Sequence, residues 1–356
     1  MSFDRRQFLA ASGALAALPC LPGLTLAAED PPANWRGAIA DNPEKKTRGS
    51  QILGNAGVLL IRSAGHLKWV HEGLYEAGYP VPKGGPPFSV DFAKQAIAVV
   101  VHHGDEGNQF DVRPLAISEN RTKLDVVMSY IIYKNRGRVV NKFQFVAIAI
   151  PRAATTEVSI STFHPHNGGP YPTIDKAKKE WSHEFTAERG DLVDGLHARL
   201  RAEKPAIASG EDIRCQFVLD FHSPMSEAGQ FSQAPAQAYV WDGKYSNGYR
   251  NHAFLVELPD GSSKIYRPAE IGDWSKNAPH PVELSAGKSY VLPNWREGEN
   301  FKSLRDLGLE TKQPGKYTIT GLYAQNSNEF QPLVRGRAAT MWGGRIATAP
   351  VTVEVK

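Results

Sequence analysis

Short runs of β-branched and aromatic residues recur along the whole chain, and each is closed by Gly, Pro, Asn or Asp before it reaches the length of an ordinary helix. That rhythm suits pleated strands and leaves little room for helical layers. Val58-Leu59-Leu60-Ile61, Ala96 to His102, Phe110 to Ser118, Leu124 to Tyr133, Phe143 to Ile150 and Glu157 to Thr162 make a first group. Ile213 to Phe221, Ala236 to Trp241, Ala253 to Leu258, Lys288 to Leu292, Tyr317 to Tyr323 and Val351 to Val355 make a second. Asp242-Gly243, Asp260-Gly261 and Pro314-Gly315 part members of the second group, and such dipeptides close tight turns. In the first group Ser63 to Val70 breaks the pattern, with Ser63 placed to cap a short helix.

Between the groups the character changes. His164-Pro165-His166-Asn167-Gly168-Gly169-Pro170 reads as a loop, and the charged stretch 174–204 carries Leu192, Val193, Leu196 and Leu200 at helical spacing. The expected fold is therefore mainly β. A small α+β domain spans 50–163, a loop and helical connector span 164–206, and an immunoglobulin-like β-sandwich spans 207–356.

The N-terminus adds an address. Asp4-Arg5-Arg6-Gln7-Phe8-Leu9 precedes an uncharged, weakly apolar run from Ala10 to Leu26, which ends on small residues at Ala27 and Ala28. Arg5 and Arg6 followed by Phe8 and Leu9 fit a twin-arginine export signal over 1–28, with cleavage at Ala27 and Ala28. Gly13, Pro19, Pro22 and Gly23 make the apolar run a poor membrane span. The expected product is exported by the twin-arginine route to the periplasm or medium, with a flexible mature N-terminus over 29–49 and no stable membrane span.

At 356 residues and 41% hydrophobic the chain can bury a substantial core. Its formal charge of +4 falls by one with the signal segment, too little to point to nucleic acid. The chain has two cysteines, Cys20 and Cys215, and Cys20 lies in the signal. Cys215 is then left alone, without a disulfide, and alternation along Arg214-Cys215-Gln216 turns it away from the two polar neighbours, as a small buried hydrophobe. No thiolate or Cys/His ligand set points to a cofactor.

Two resemblances add to this reading. Ile61-Arg62-Ser63-Ala64, the helix around Trp69, the tract Val90-Asp91-Phe92-Ala93-Lys94-Gln95-Ala96-Ile97-Ala98-Val99-Val100 and Phe145 to Pro151 resemble the PrcB C-terminal-like family. The resemblance implies a small α+β module with a central strand after the Asp-Phe tract, and an association role without catalytic residues. Gly104 to Phe110 stands where that family has a Gly-Gly-Tyr turn. Leu284 to Tyr290, Pro314 to Tyr323 and Thr348 to Val355 are similar to immunoglobulin-like modules of exported bacterial proteins, which implies a terminal edge strand.

Chemistry-bearing patterns are sparse. No Gly-x-Ser-x-Gly elbow and no HExxH helix occurs, so no catalytic residue is assigned. His164 and His166 are the candidate metal pair, because a two-residue spacing on an extended segment puts both rings on one side, with His183 or His222 as a third ligand. The other reading is two loop histidines. His102 and His103 are adjacent on a strand and point to opposite faces, which argues against one shared ion. Asp220-Phe221-His222-Ser223 has residue types for acid-base work in an arrangement better suited to structure. Trp241, Trp274, Trp295 and Trp342 supply either core packing or a binding surface for sugar rings or a protein. The function these features favour is a non-enzymatic exported protein that binds an envelope protein or polymer. A metal-binding protein or metal-dependent enzyme at His164 and His166, and a carbohydrate-binding module, are the alternatives.

Overall fold

Runs such as Ala96 to Val101 are apolar at every position rather than at every second one, and a strand of that kind needs cover on both faces. The computed structural model shows that cover. It describes residues 34–40, 56–76, 89–105, 109–117, 121–129, 141–153, 155–163, 178–186, 189–222, 237–241, 251–268, 280–292, 300–325, 333–334, 337–338 and 341–356. These fall within one contact unit, Ala33–Lys356.

The first part of the chain contains β1 (Asn34–Ala40), β2 (Ala56–Ile61), the helix α1 (Ala64–Glu76), β3 (Gln95–Asp105), β4 (Gln109–Ile117), β5 (Arg121–Ser129), β6 (Asn141–Pro151), β7 (Thr155–Phe163) and β8 (Lys178–Phe185). The middle holds β9 (Leu192–Val193), β10 (Leu196–Ala202), β11 (Ala206–Ile207) and β12 (Arg214–Phe221). The remainder holds β13 (Gln237–Trp241), β14 (His252–Glu257), β15 (Ser263–Tyr266), β16 (Pro281–Ser285), β17 (Lys288–Val291), β18 (Lys302–Ser303), β19 (Gly315–Gln325), β20 (Leu333–Val334), β21 (Arg337–Ala338), β22 (Gly344–Ala347) and β23 (Val351–Val355). The protein is mainly β, as its sequence rhythm indicates, and each strand group read from the sequence has a counterpart here.

A nine-stranded sheet runs β1-β6-β3-β2-β9-β10-β12-β17, with β18 also on β12. A six-stranded sheet runs β11-β23-β19-β14-β15, with β22 on β19, and a four-stranded sheet runs β4-β5-β7-β8. On one face of the large sheet Val58, Leu60, Ala98, Val100, Val146 and Ile148 pack with Leu124, Val158 and Phe185 of the four-stranded sheet. On the other face Leu59, Ile61, Val99 and Phe145 join Trp69, Val70 and Leu74 of α1, and the same core continues through Phe217 and Leu219 of β12 to Phe254, Ile319 and Tyr323 of the six-stranded sheet. Successive side chains of a strand leave by opposite faces, so Val58-Leu59-Leu60-Ile61 feeds both cores in turn. The helix caps as expected: Ser63 Oγ accepts from His66 N at 3.2 Å.

The expected helical connector is a correction. Residues 192–202 form the hairpin of β9 and β10, closed by Asp194 and Gly195 with φ of 46° and 79°, the left-handed pair that a two-residue turn of the mirror-image type requires. A spacing of four, as from Leu192 to Leu196 to Leu200, satisfies a period of two as well as a helical one. Along the strand Ala198 and Leu200 are buried while Arg199 and Arg201 are exposed, which is strand alternation. This hairpin bridges the segments 50–163 and 207–356, because β9 pairs with β2 and β10 with β12. The two segments thereby share one sheet. A second correction concerns 29–49, expected to be flexible: residues 34–40 form β1, which adds antiparallel to β6 and supplies the outer strand of the large sheet. Among the described residues no helix is long and apolar enough to cross a membrane.

Candidate functional site

Where β2 ends, the chain turns into α1 through Arg62 and Ser63, and this corner faces the polar side of the six-stranded sheet. A cleft of about 630 Å³ lies between them. One wall carries Arg62, Ser63, His66, Arg152 and Ala153, and the other carries Glu257, Thr318, Thr320, Thr348 and Thr352. The second wall follows from strand register. Thr318 of β19 sits directly between Glu257 of β14 and Thr352 of β23, so the three polar side chains form a row across three strands. The intervening positions Tyr317 and Ile319 face the core and are fully buried.

The first wall is fixed from behind by Asp191, which has no exposed surface. Its Oδ1 accepts from Leu60 N at 2.8 Å and its Oδ2 from Ala347 N at 2.7 Å, while its own N donates to Ala347 O at 2.8 Å. His66 Nε2 lies 3.2 Å from Asp191 Oδ2. Arg62 is held in the same way: Nη1 donates to Arg189 O and Nη2 to Thr186 O, each at 3.2 Å. Burial pulls the Arg62 pKa down to about 10, with Asp191 opposing and Arg152 adding to the fall. It remains a cation at neutral pH. Arg152 Nη1 donates to Phe92 O at 2.9 Å. Among the described residues neither arginine forms an ion pair, so both guanidiniums keep charge and spare donors for the cleft.

Ser63 Oγ caps the helix, accepting the backbone N–H of His66, and the ring nitrogen of His66 nearest a carboxylate is turned to Asp191. Cys215 is buried and its thiol is pushed up to about 12 by that burial, far from the thiolate a nucleophile needs. Among the described residues no group of three His, Cys, Asp or Glu is placed to hold a metal ion.

The residues singled out from the sequence are distributed otherwise. Arg5, Arg6, Phe8, Leu9, Ala27, Ala28, His164, His166, Trp274 and Trp295 lie outside the described residues. Trp241 and Trp342, two of the four candidates for an aromatic binding surface, are each only 5% exposed, which corrects that expectation for this pair. Trp342 Nε1 donates to Val193 O at 3.1 Å, and its ring centroid lies 5.7 Å from that of Tyr323. The buried Gln325 ties both tryptophans inward: its Oε1 accepts from Trp241 N at 3.2 Å and its Nε2 donates to Trp342 O at 2.7 Å. Arg62, His66, Arg152, Asp191 and Glu257 were not among the sequence candidates; the available signal was the basic-serine pair that opens the only helical pattern of the first strand group.

Asp220 and His222 belong to a structural cluster. Asp220 accepts from Arg199 Nη2 at 2.9 Å, and from Arg199 Nε and Ser289 Oγ. His222 stands edge-on to His197 at 5.9 Å, and His197 Nδ1 is 2.9 Å from Asp191 O, so that nitrogen carries the hydrogen. Burial is the main cause that lowers the pKa of both histidines, although the Asp191 carbonyl opposes it at His197 and Asp220 opposes it at His222. The fold thus favours both neutral rings, while unfolded chain takes the protons near 6.5. The stability this adds is whole above that pH and declines as the pH falls below it. Urea midpoints at pH 7.5 and 5.5 test this: the midpoint should be lower at 5.5, and an equal midpoint would remove the two rings from the account of acid sensitivity.

Set against known proteins, the chain matches no family model and no curated sequence.

Proposed function

We propose that this chain is an exported, non-enzymatic binding protein of the cell envelope, and that it takes part of an envelope partner into the cleft between α1 and the six-stranded sheet. The observation that carries the reading is the cleft itself, in which two guanidiniums that form no ion pair among the described residues face a row of hydroxyls and one carboxylate. A cleft of about 630 Å³ has the size of a small-ligand site and admits a chain end or side group rather than a folded domain. The twin-arginine pattern at Arg5 and Arg6 supports export, and the resemblances to the PrcB C-terminal-like family and to immunoglobulin-like modules support association rather than catalysis.

Native mass spectrometry on protein purified gently from its own envelope tests the reading. Thr318→Trp fills the cleft from a position whose side chain leaves the core alone. The wild-type protein should carry a bound mass that this variant lacks. A metal mass lost instead in the His164→Ala, His166→Ala double variant would replace the reading with a metal-binding one.

A further inference from the structure

The two walls of the cleft differ in charge. Arg62 and Arg152 stand on one, and Glu257 stands on the other within a row of threonine hydroxyls. Among the described residues none of the three forms an ion pair, although a guanidinium and a carboxylate facing one another across a narrower gap would do so. Opposite charges held apart by a polar space match a ligand that carries the complementary charges at the same separation. We propose that the cleft binds an amino acid or short peptide, with a carboxylate on Arg62 and Arg152 and an ammonium group on Glu257. The proposal rests on the binding-protein reading above and adds the chemistry of what is bound.

Three features fit this class better than a simple anion or a neutral sugar. Two arginines are balanced in charge by Glu257 and by Asp191 behind the first wall, which favours a zwitterionic ligand over a simple ion. Arg62 is anchored by two backbone carbonyls, so its planar donor face is oriented before a carboxylate arrives. Glu257 beside Thr318 offers acceptors and a hydroxyl, a suitable set for the hydrogens of an ammonium group. An inorganic anion would use the arginines and leave Glu257 as a repulsive neighbour. A neutral sugar would leave the charges of Arg62, Arg152 and Glu257 unmatched.

Isothermal titration of the full chain tests the inference with five probes: glutamate, inorganic phosphate, the tripeptide Ala-Glu-Ala with free ends, its C-terminal amide and its N-acetyl form. The tripeptide with free ends should bind, and blocking either end should weaken it about tenfold, the scale of a lost charge-assisted hydrogen bond. Arg152→Gln should shrink the difference between acid and amide, Arg62 remaining, and Glu257→Gln should erase the difference between free and acetylated amine. Both positions lie at the surface of the cleft, so the variants test binding without a core substitution. Tighter binding of glutamate than of the tripeptide assigns a free amino acid as ligand, and the reverse order assigns the peptide portion of a polymer. Equal binding of all three peptides, or inorganic phosphate binding as well as glutamate, would overturn the proposal. So would silence from every probe; if the envelope-purified protein still carried a cleft-dependent mass, the binding-protein reading would stand and only the ligand class would fall.

Discussion

Asp191→Ala is expected to remove on the order of 3–5 kcal/mol of folding stability, a large part of what holds an ordinary domain together. Asp191 is completely buried, and its two oxygens accept from backbone N–H groups on two different strands, Leu60 of β2 and Ala347 of β22. Alanine leaves both donors buried without their acceptor, at about 1–3 kcal/mol each. It also leaves His66 Nε2 facing an empty space where a carboxylate stood 3.2 Å away. Asp191→Asn separates the contributions, because it keeps one acceptor oxygen and turns an NH₂ group towards the other donor. Its loss should be large but smaller than that of alanine. Urea denaturation with a common m-value gives both numbers, and a double-mutant cycle with His66→Ala gives the coupling between the two side chains. If Asp191→Ala costs less than about 1 kcal/mol, the carboxylate does not hold the strands, and the rigid back wall assigned to the cleft is lost with it.

The residues that define the fold and those that define the cleft were not equally visible in the sequence. Val58 to Ile61, Ala96 to Val101 and Phe145 to Ile150 announce strands because both their faces are buried, and burial of that kind writes itself into consecutive residues. Ser63 announces its helix because a cap is local. The β9–β10 hairpin is hidden in the spacing because Leu192, Leu196 and Leu200 satisfy two periods at once, and the Asp194-Gly195 turn is the one local signal that separates them. Trp241 and Trp342 each sit beside a small or polar residue in the sequence, yet the side chain of Gln325, 84 residues from one and 17 from the other, hydrogen-bonds the backbone of both. The cleft is the least local feature of all. Glu257, Thr318 and Thr352 become neighbours only through the register of three strands, and Arg62 meets Arg189 O only after β2 and β9 have paired. No spacing rule links those positions.

Gly190→Ala should be comparably severe through space rather than charge. A Cβ at Gly190 would stand 2.0 Å from Ala347 O and 2.6 Å from both C and Cα of Thr348, all of them backbone atoms. No rotamer can relieve that overlap, so the segment before β9 must move away from the end of β22. The movement stretches the Asp191 N to Ala347 O bond and draws the Asp191 carboxylate from its donors. Overpacking a well-filled site costs about 1–3 kcal/mol, and an overlap with backbone belongs at or above the top of that range. Gly210→Ala is the control: it has φ of +79° and nothing within 4 Å of an added Cβ, so it isolates backbone strain, about 1 kcal/mol, from collision. Thermal and urea melts of the two variants should place Gly190→Ala well below Gly210→Ala. The same displacement carries Arg189 O, which accepts from Arg62 Nη1, so a folded remnant of Gly190→Ala should also bind the free-ended tripeptide more weakly than wild type. Stability within about 1 kcal/mol of wild type together with unaltered affinity would mean that the strands yield at this point and that Arg62 is positioned by something other than the 186–191 segment.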